Sequence, residues 1–388
     1  MDKNKLVIIL SAFALYFLSA GFSYFIFSKG LAGGLTDSPI PAPTLSNGQV
    51  TFDESLPKTQ ECPLNGVKYS KQQENWWQKH RPLGVMIENH EESRPQSGLS
   101  GADVIYEAVA EGGITRFLAV YYCQEGGILG PVRSARTYFL DFISEYGNYP
   151  LYAHVGGANQ SGPADAISQI SDYGWSSYND LNQFSISAPT FLRDEDRIGH
   201  PVATEHTMYS SAGKLWGFAQ KQRELTNVDK KNNSWDEDFV SYKFSEDISA
   251  SERPASQSVH LEFWNNKNYY VDWTYDPKTN LYKRNNGGST HTDLNNKKQL
   301  TAKNVVVLLM RESNANDGYE NNIHLLYQTK GTGKAIVFKD GERVDATWKK
   351  TNRTARTILT DAKGNEIKFN RGLIWFEIMA TDSTITVK

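Results

Sequence analysis

The sequence predicts an α+β protein with an N-terminal α/β part and a β-rich C-terminal part. Between residues 83 and 225, short apolar runs typical of strands are interspersed with longer runs that suit helices. After residue 238, β-branched and aromatic runs separated by turn residues predominate. The chain also contains 20 Tyr and 9 Trp in 388 residues, a composition that favours β-rich packing.

In the first part, strands are predicted at residues 83–87, 103–110, 114–123 and 151–155. Ser134 is expected to cap a helix that runs to about Tyr146, because apolar residues then share one face and Gly147 provides a stop. Two further helices are predicted at residues 161–172 and 210–225.

In the second part, Val259, Leu261 and Phe263 alternate with polar neighbours, which indicates a half-buried strand. Further strands are predicted at residues 269–275, 304–310 and 373–379. Residues 335–338 and 346–349 flank a turn at residues 339–342, which predicts a hairpin.

Residues 6–27 contain no charged side chain and are long enough to span a bilayer as a helix. Residues 1–29 are therefore predicted to be a transmembrane anchor or signal segment, with the bulk of the chain outside the cytoplasm. Residues 30–61 are rich in Gly, Pro, Ser, Thr and Asn and predict a flexible linker. Two domains are expected after it, at residues 62–228 and 236–388.

Charge and cysteine content exclude some classes of function. A formal net charge of −3 argues against a protein that coats nucleic acid. The two cysteines, Cys62 and Cys123, are too few for a usual zinc cluster. In an oxidising compartment they would form one disulfide; the alternative is two unrelated thiols.

Arginines in the middle of the first part predict an anion site. Arg133 and Arg136 lie three residues apart at the entrance of a predicted helix, whose free N–H groups favour an anion. Arg116, after a glycine turn, supplies a third guanidinium, and guanidinium groups suit carboxylate or phosphate oxygens. The alternative is an internal lattice of ion pairs in which the arginines face acidic residues, namely Glu88, Glu107, Glu111 and Asp141.

His154 precedes two glycines at the end of a predicted strand. Together with Asp141 and Ser134 it would allow a set of nucleophile, base and orienting residue, although no Gly-x-Ser-x-Gly motif surrounds Ser134. A metal site from His90, His154, His200 and His206 is a further alternative, but none of these histidines shows the i, i+4 spacing of a helical zinc site. Neither a metal nor another cofactor is predicted.

Six polar motifs stand out along the first part of the chain: RPLGVMIENH at 81–90, RPQSGL at 94–99, EGGITR at 111–116, GPVRSAR at 130–136, YAHVGG at 152–157 and EHTMYSS at 205–211. These motifs resemble the YerB-like putative lipoprotein family, a bacterial domain of unknown function with N-terminal and C-terminal parts. The resemblance implies an α+β fold of layered sheets covered by helices, and brings no catalytic residues. Many members carry a lipid-acceptor cysteine after the signal segment. This chain has no cysteine before Cys62, which favours the transmembrane anchor.

The sequence thus predicts a membrane-tethered extracytoplasmic binding module. Its ligand would be an anionic or amide-bearing envelope component, such as a peptidoglycan stem or a teichoic phosphate. The predicted ligand-binding residues are Asn89, Arg94, Glu111, Arg116, Arg133, Ser134, Arg136 and His154. Two alternatives remain open: an envelope hydrolase that uses Ser134 or His154, and a scaffold that binds a protein partner through its C-terminal sheet.

Overall fold

The computed structural model describes residues 3, 15–19, 42–46 and 49–388. Residues 1–43 and 44–388 form separate compact units. Residues 15–19 are helical, and the rest of the predicted anchor at residues 6–27 lies outside the described residues. Across the described ranges, no helix is both long and apolar enough to cross a membrane.

The unit formed by residues 44–388 is built mainly from strands. In the first part they are β1 (Thr44–Ser46), β2 (Gln49–Thr51), β3 (Lys58–Glu61), β4 (Lys68–Ser70), β5 (Leu83–Glu88), β6 (Val104–Glu111), β7 (Ile114–Tyr121), β8 (Ile128–Leu129), β9 (Leu151–His154), β10 (Asp180–Asn182), β11 (Leu192–Arg193) and β12 (Met208–Ser211). The helices are α1 (Lys71–Trp77), α2 (Thr137–Ile143), α3 (Ala166–Asp172) and α4 (Ala212–Arg223).

The second part contributes strands alone, apart from short 3-10 turns. They are β13 (Phe244–Ser245), β14 (Ser258–Glu262), β15 (Val271–Asp276), β16 (Leu281–Asn286), β17 (Ser289–Thr290), β18 (Thr301–Ala302), β19 (Asn304–Met310), β20 (Glu312–Asn314), β21 (Leu325–Tyr327), β22 (Gly331–Lys339), β23 (Glu342–Lys350), β24 (Ile358–Thr360), β25 (Phe369–Asn370), β26 (Ile374–Ala380) and β27 (Thr384–Val387).

The central sheet has ten strands in the order β10-β9-β5-β7-β6-β26-β19-β22-β23-β24. Its first five strands come from the first part of the chain and its last five from the second. Parallel pairing of β6 with β26 joins the two sets and places Glu107 opposite Glu377. Both predicted domains, at residues 62–228 and 236–388, therefore contribute strands to one sheet. The boundary between them remains a prediction.

Helices cover one face of this sheet and a second sheet covers the other. The six-stranded sheet contains β17-β16-β15-β14-β27, with β18 beside β16. Trp273 on β15 packs against Trp375 on β26 with 5.3 Å between ring centroids. On the helix side, Tyr106 stacks between Phe142 of α2 and Phe376 of β26, at 4.8 Å from each. The predicted α+β class with layered sheets and covering helices is confirmed.

Most predicted strands are present within one or two residues of their expected ends, and the predicted hairpin is confirmed. Asp340 and Gly341 connect β22 to β23 with φ values of 53° and 77°, as a two-residue hairpin turn requires. The predicted cap at Ser134 is wrong, because α2 begins at Thr137 with Arg136 as its N-cap residue. The backbone before it is held extended, since Ala135 N–H donates to Gly156 O at 2.9 Å.

The two cysteines form a disulfide between Cys62 and Cys123 in the structure. Asp103 lies beside it and accepts hydrogen bonds from the N–H groups of Tyr122 and Cys123 at 2.7 and 2.8 Å. The disulfide therefore connects the segment before α1 to the residues that follow β7.

Candidate functional site

Four of the predicted site residues meet at the turn between β6 and β7. Glu111 closes β6 and contacts Arg116 Nη2 at 3.1 Å and the guanidinium of Arg136. Both arginines also donate to Ser134 Oγ, each at 3.0 Å. Glu111, Arg116, Ser134 and Arg136 are called the Glu111 cluster below.

Electrostatics in the Glu111 cluster favour the internal ion pairs. Burial alone would raise the pKa of Glu111, but Arg116 and Arg136 outweigh it and lower the pKa to about 2. Burial lowers the pKa of Arg136, and repulsion from Arg116 adds to this. The arginine side chains are 2% and 5% exposed, whereas the Glu111 side chain is 25% exposed. Solvent therefore reaches the carboxylate more than the guanidinium groups.

Arg133 pairs with a different carboxylate and is not part of the Glu111 cluster. It pairs with Glu88, whose Oε1 lies 3.0 Å from Arg133 Nε. Glu88 Oε2 accepts a hydrogen bond from His206 Nδ1 at 2.8 Å. All three arginines of the predicted anion site thus contact carboxylates, as the alternative of an internal lattice proposes.

The side chains of the hydrolase alternative bond to other partners. His154 is fully buried, with Nδ1 2.6 Å from Gly156 O and Nε2 2.5 Å from Asp180 Oδ1. Ser134 Oγ accepts from the two arginines, and Asp141 accepts from Lys330 Nζ at 2.7 Å. No nucleophile–base pair links Ser134 and His154 in this arrangement.

Asn89 and Arg94 form a second group at the end of β5. Asn89 Oδ1 accepts from Arg94 Nε at 3.0 Å and from Gln96 Nε2 at 2.9 Å. The Arg94 guanidinium lies over the ring of Tyr269, 4.9 Å from its centroid. Burial lowers the pKa of Arg94 to about 10, so the group stays cationic at neutral pH.

Arg94 lines a cavity of about 350 Å³, called the Arg94 cavity below. One wall comes from the first part of the chain and the other from the second part. Its polar side chains include Glu91, Arg94, Asn268, Asn286, Ser289 and Thr290. Arg94 Nη1 points toward Gly287, where a Cβ atom would lie 3.1 Å from it. The cavity therefore presents one guanidinium group, one carboxylate, the imidazole of His291, and several amide and hydroxyl groups.

A buried polar network lies behind the Arg94 cavity. Arg284 pairs with Glu107, and both side chains are 0% exposed. Arg284 Nη1 also lies 2.7 Å from His291 Nδ1, and His291 Nε2 lies 2.6 Å from Gln96 Oε1. Arginine has no acceptor, so His291 Nδ1 accepts and Nε2 donates. His291 lines the cavity, which links its wall to the core.

Sequence reasoning missed Arg284, His291 and Glu377. Burial raises the pKa of Glu377 well above its usual range, and the negative charge of Glu107 raises it further. The available signal was charge inside apolar strands, since Glu377 stands within the buried run IWFEIMA. A charged side chain at such a position requires a partner.

Two groups of side chains have the composition of a metal site among the described residues. Cys62, Asp103 and Cys123 form one, but the two sulfur atoms are joined in the disulfide. His90, Glu92 and His206 form the other, with one potential ligand atom from each lying within 4.8 Å of the others. No local spacing in the sequence indicates this second group, because His90 and His206 are far apart in the chain.

Comparisons with known proteins agree with the motifs. Residues 66–226 match the N-terminal domain, and residues 259–376 the C-terminal domain, of the family described as "Protein of unknown function (DUF3048)". "Putative lipoprotein YerB" of Bacillus subtilis (strain 168) is 28% identical over 324 residues, covering 83% of this chain and 87% of the relative. The crystal structure of YerB from Bacillus subtilis aligns with a TM-score of 0.67 and 25% identity, covering 84% of this chain and 100% of that one. The chain belongs to the YerB-like family of unknown function.

Proposed function

We propose that this chain is a membrane-anchored extracytoplasmic protein that binds a carboxylate-bearing component of the cell envelope in the Arg94 cavity. The name of its relative, "Putative lipoprotein YerB", supports anchoring outside the cytoplasm. The Cys62–Cys123 disulfide supports the same location, because disulfides persist in oxidising compartments. The uncharged run at residues 6–27 is the proposed anchor.

The observation that carries the binding proposal is the position of Arg94. Its Nε and Nη2 atoms bind Asn89, which orients the guanidinium, while Nη1 lies on the cavity side near Gly287. A guanidinium held in one orientation binds a carboxylate with little loss of side-chain entropy. Tyr269 beneath it provides a flat apolar support.

Other groups of the cavity indicate what else the ligand carries. Glu91 accepts from Asn268 Nδ2 at 2.6 Å and also lines the cavity, so it offers a carboxylate to an ammonium or amide N–H group. Ser289 and Thr290 add hydroxyl groups that both donate and accept. Carboxylate, amide and amine groups occur together at the end of a peptide, which favours a peptidoglycan stem over a teichoic phosphate.

This location differs from the sequence expectation, which centred on Arg116, Arg133 and Arg136. At the Glu111 cluster, an anion would have to displace Glu111 from two guanidinium groups. Breaking a partly buried pair of this kind costs several kcal/mol. At the Arg94 cavity, the ligand enters existing space.

Calorimetry of the full chain with a soluble cell-wall peptide that ends in a free carboxylate tests the proposal. Saturable binding is expected, with at least a tenfold loss in Arg94→Ala. Because Arg94 also bonds Asn89, a second variant, Ser289→Trp, fills the exposed mouth of the cavity without touching that bond. Arg133→Ala is the matched control and should bind as the parent does. Equal affinity in all four proteins, or no binding in the parent, contradicts the proposal.

A further inference from the structure

We infer that His90, Glu92 and His206 form a binding site for a divalent transition-metal ion of the zinc type. In this site, Glu88 orients the His206 ring. This inference does not depend on the proposed ligand of the Arg94 cavity. It rests on the position of the three side chains, on the hydrogen bond that holds His206, and on the exposure of the group.

Backbone pairing brings the two histidines together. Glu88 N–H, at the end of β5, donates to Pro131 O at 2.9 Å, and Val132 N–H donates to Met208 O at 2.7 Å. Residues 88, 131–132 and 208 are thus adjacent across three segments. His90 caps the 3-10 turn Glu91–Ser93, while His206 ends the 3-10 turn Thr204–His206. Their rings lie 4.8 Å apart, centroid to centroid.

The hydrogen bond to Glu88 determines which ring nitrogen of His206 is available to a metal ion. Its Oε2 accepts from His206 Nδ1 at 2.8 Å, which leaves Nε2 directed at Glu92 Oε2, 3.6 Å away. Metal-ligating histidines usually donate their second N–H to a carboxylate in this way. The Glu88 carboxylate is held in turn by Arg133 at 3.0 Å.

To accept an ion, the three ligand atoms must move closer together, and the two rings, now stacked at 14°, must rotate so that their nitrogen lone pairs converge. Ligand atoms about 2.1 Å from a tetrahedral zinc ion are about 3.4 Å apart, whereas the three candidate atoms lie within 4.8 Å. The Glu92 side chain is 55% exposed and free to adjust. His90 is half-buried; its Nδ1 accepts a 3.3 Å hydrogen bond from Glu92 N–H, and its ring stacks on that of His206.

Charge and access also suit a cation. Arg133 opposes a positive ion, but the carboxylates of Glu88 and Glu92 lie beside His206 at 2.8 and 3.6 Å. The exposed Glu92 side chain gives an ion access from solvent. Two imidazoles and one carboxylate select zinc-like ions over calcium and magnesium, which prefer oxygen ligands.

Titration of the full chain, purified without metal, with Zn²⁺ or Co²⁺ alone tests the inference. One equivalent is expected to bind, and Ca²⁺ and Mg²⁺ are expected not to compete. His90→Ala and Glu92→Gln should each weaken the affinity at least tenfold, and Glu92→Gln alters an exposed side chain that folding does not need. Glu88→Gln should weaken it 10- to 100-fold, the range for a carboxylate that orients a ligand.

The control is His260→Ala. His260 lies at the surface between Asp272 and Glu262, at 2.7 and 3.2 Å, so it has similar chemistry without a second histidine. Its replacement should leave the metal affinity unchanged. The inference would be overturned if both His90→Ala and Glu92→Gln bound the metal as tightly as the parent. It would also be overturned if only His260→Ala lost binding, or if the parent bound no stoichiometric metal.

Discussion

Two arginine–glutamate pairs in this molecule differ mainly in burial. Arg284 and Glu107 are 0% exposed, and the Arg284 guanidinium lies 4.7 Å from the ring centroid of Trp375. Arg136 and Glu111 meet at the end of a hairpin, where the carboxylate is 25% exposed. The chemistry of the two pairs is the same, but only the second has water as an alternative partner for its carboxylate.

The difference shows what each pair can do. Removing one partner from a sealed pair leaves a charge that neither water nor protein can satisfy. At the hairpin, water and side-chain movement reduce that cost. The Arg284–Glu107 pair therefore stabilises the contact between the two sheets. The side chains of the Glu111 cluster can rearrange to a limited extent.

The largest effect is expected for Arg284→Ala. This change leaves the Glu107 carboxylate buried beside Glu377 without its cation, and it removes the donor to His291 Nδ1. The free energy of unfolding should fall by about 3–5 kcal/mol, measured by chemical denaturation at pH 7. Adding Glu107→Gln to this variant should recover part of the loss. A loss below about 1 kcal/mol in the single variant would show that the sealed pair contributes little.

A smaller, pH-dependent effect is expected for Glu111→Gln. The folded pKa of Glu111 is about 2, below the ordinary value of 4.5, so its contribution is complete above pH 4.5. It is lost as the pH falls from 4.5 toward 2. The parent should exceed the variant in unfolding free energy by up to about 3 kcal/mol at pH 7, and by little near pH 2. Unfolding curves from pH 2 to 7 measure the difference, and a difference independent of pH would contradict this account.

The smallest effect is expected for Glu377→Gln. Since burial raises the folded pKa of Glu377, the parent loses stability as the pH rises above about 4.5, where the unfolded carboxyl ionises. A glutamine amide can accept from Trp273 Nε1, which now donates to Glu377 at 2.8 Å, and can donate to Glu107. The variant should match the parent within about 1 kcal/mol at pH 4 and gain on it by pH 7. A relative loss over this range would indicate an ionised Glu377.

Local patterns in the sequence predict much of the fold. The buried strands β19 and β26 are apolar apart from Asn304 and Glu377, and the Asp-Gly turn between β22 and β23 has specific backbone requirements. The β16 strand was missed because its sequence, LYKRNN, contains successive charged and amide residues, which are typical of a loop. The start of α2 was misplaced because pairing of Ala135 with the residues after β9 overrides the capping preference of Ser134.

The candidate sites depend on long-range contacts, which no local pattern carries. Glu111 was a foreseeable partner for Arg116, because a tight hairpin joins them. By contrast, Arg94 meets Tyr269 and Gly287 only after the second part of the chain folds against the first. The same holds for His90 and His206. Motif residues were thus recognised, but their partners could not be assigned from spacing alone.

The parallel seam between β6 and β26 has a consequence for any attempt to divide this protein. Separating its two halves would expose two long, apolar strand edges, each with a row of backbone donors and acceptors that lack a neighbour. Such edges recruit other chains, so either fragment made alone would tend to self-associate. We therefore expect that the two family segments fold properly only when they are expressed as a single chain.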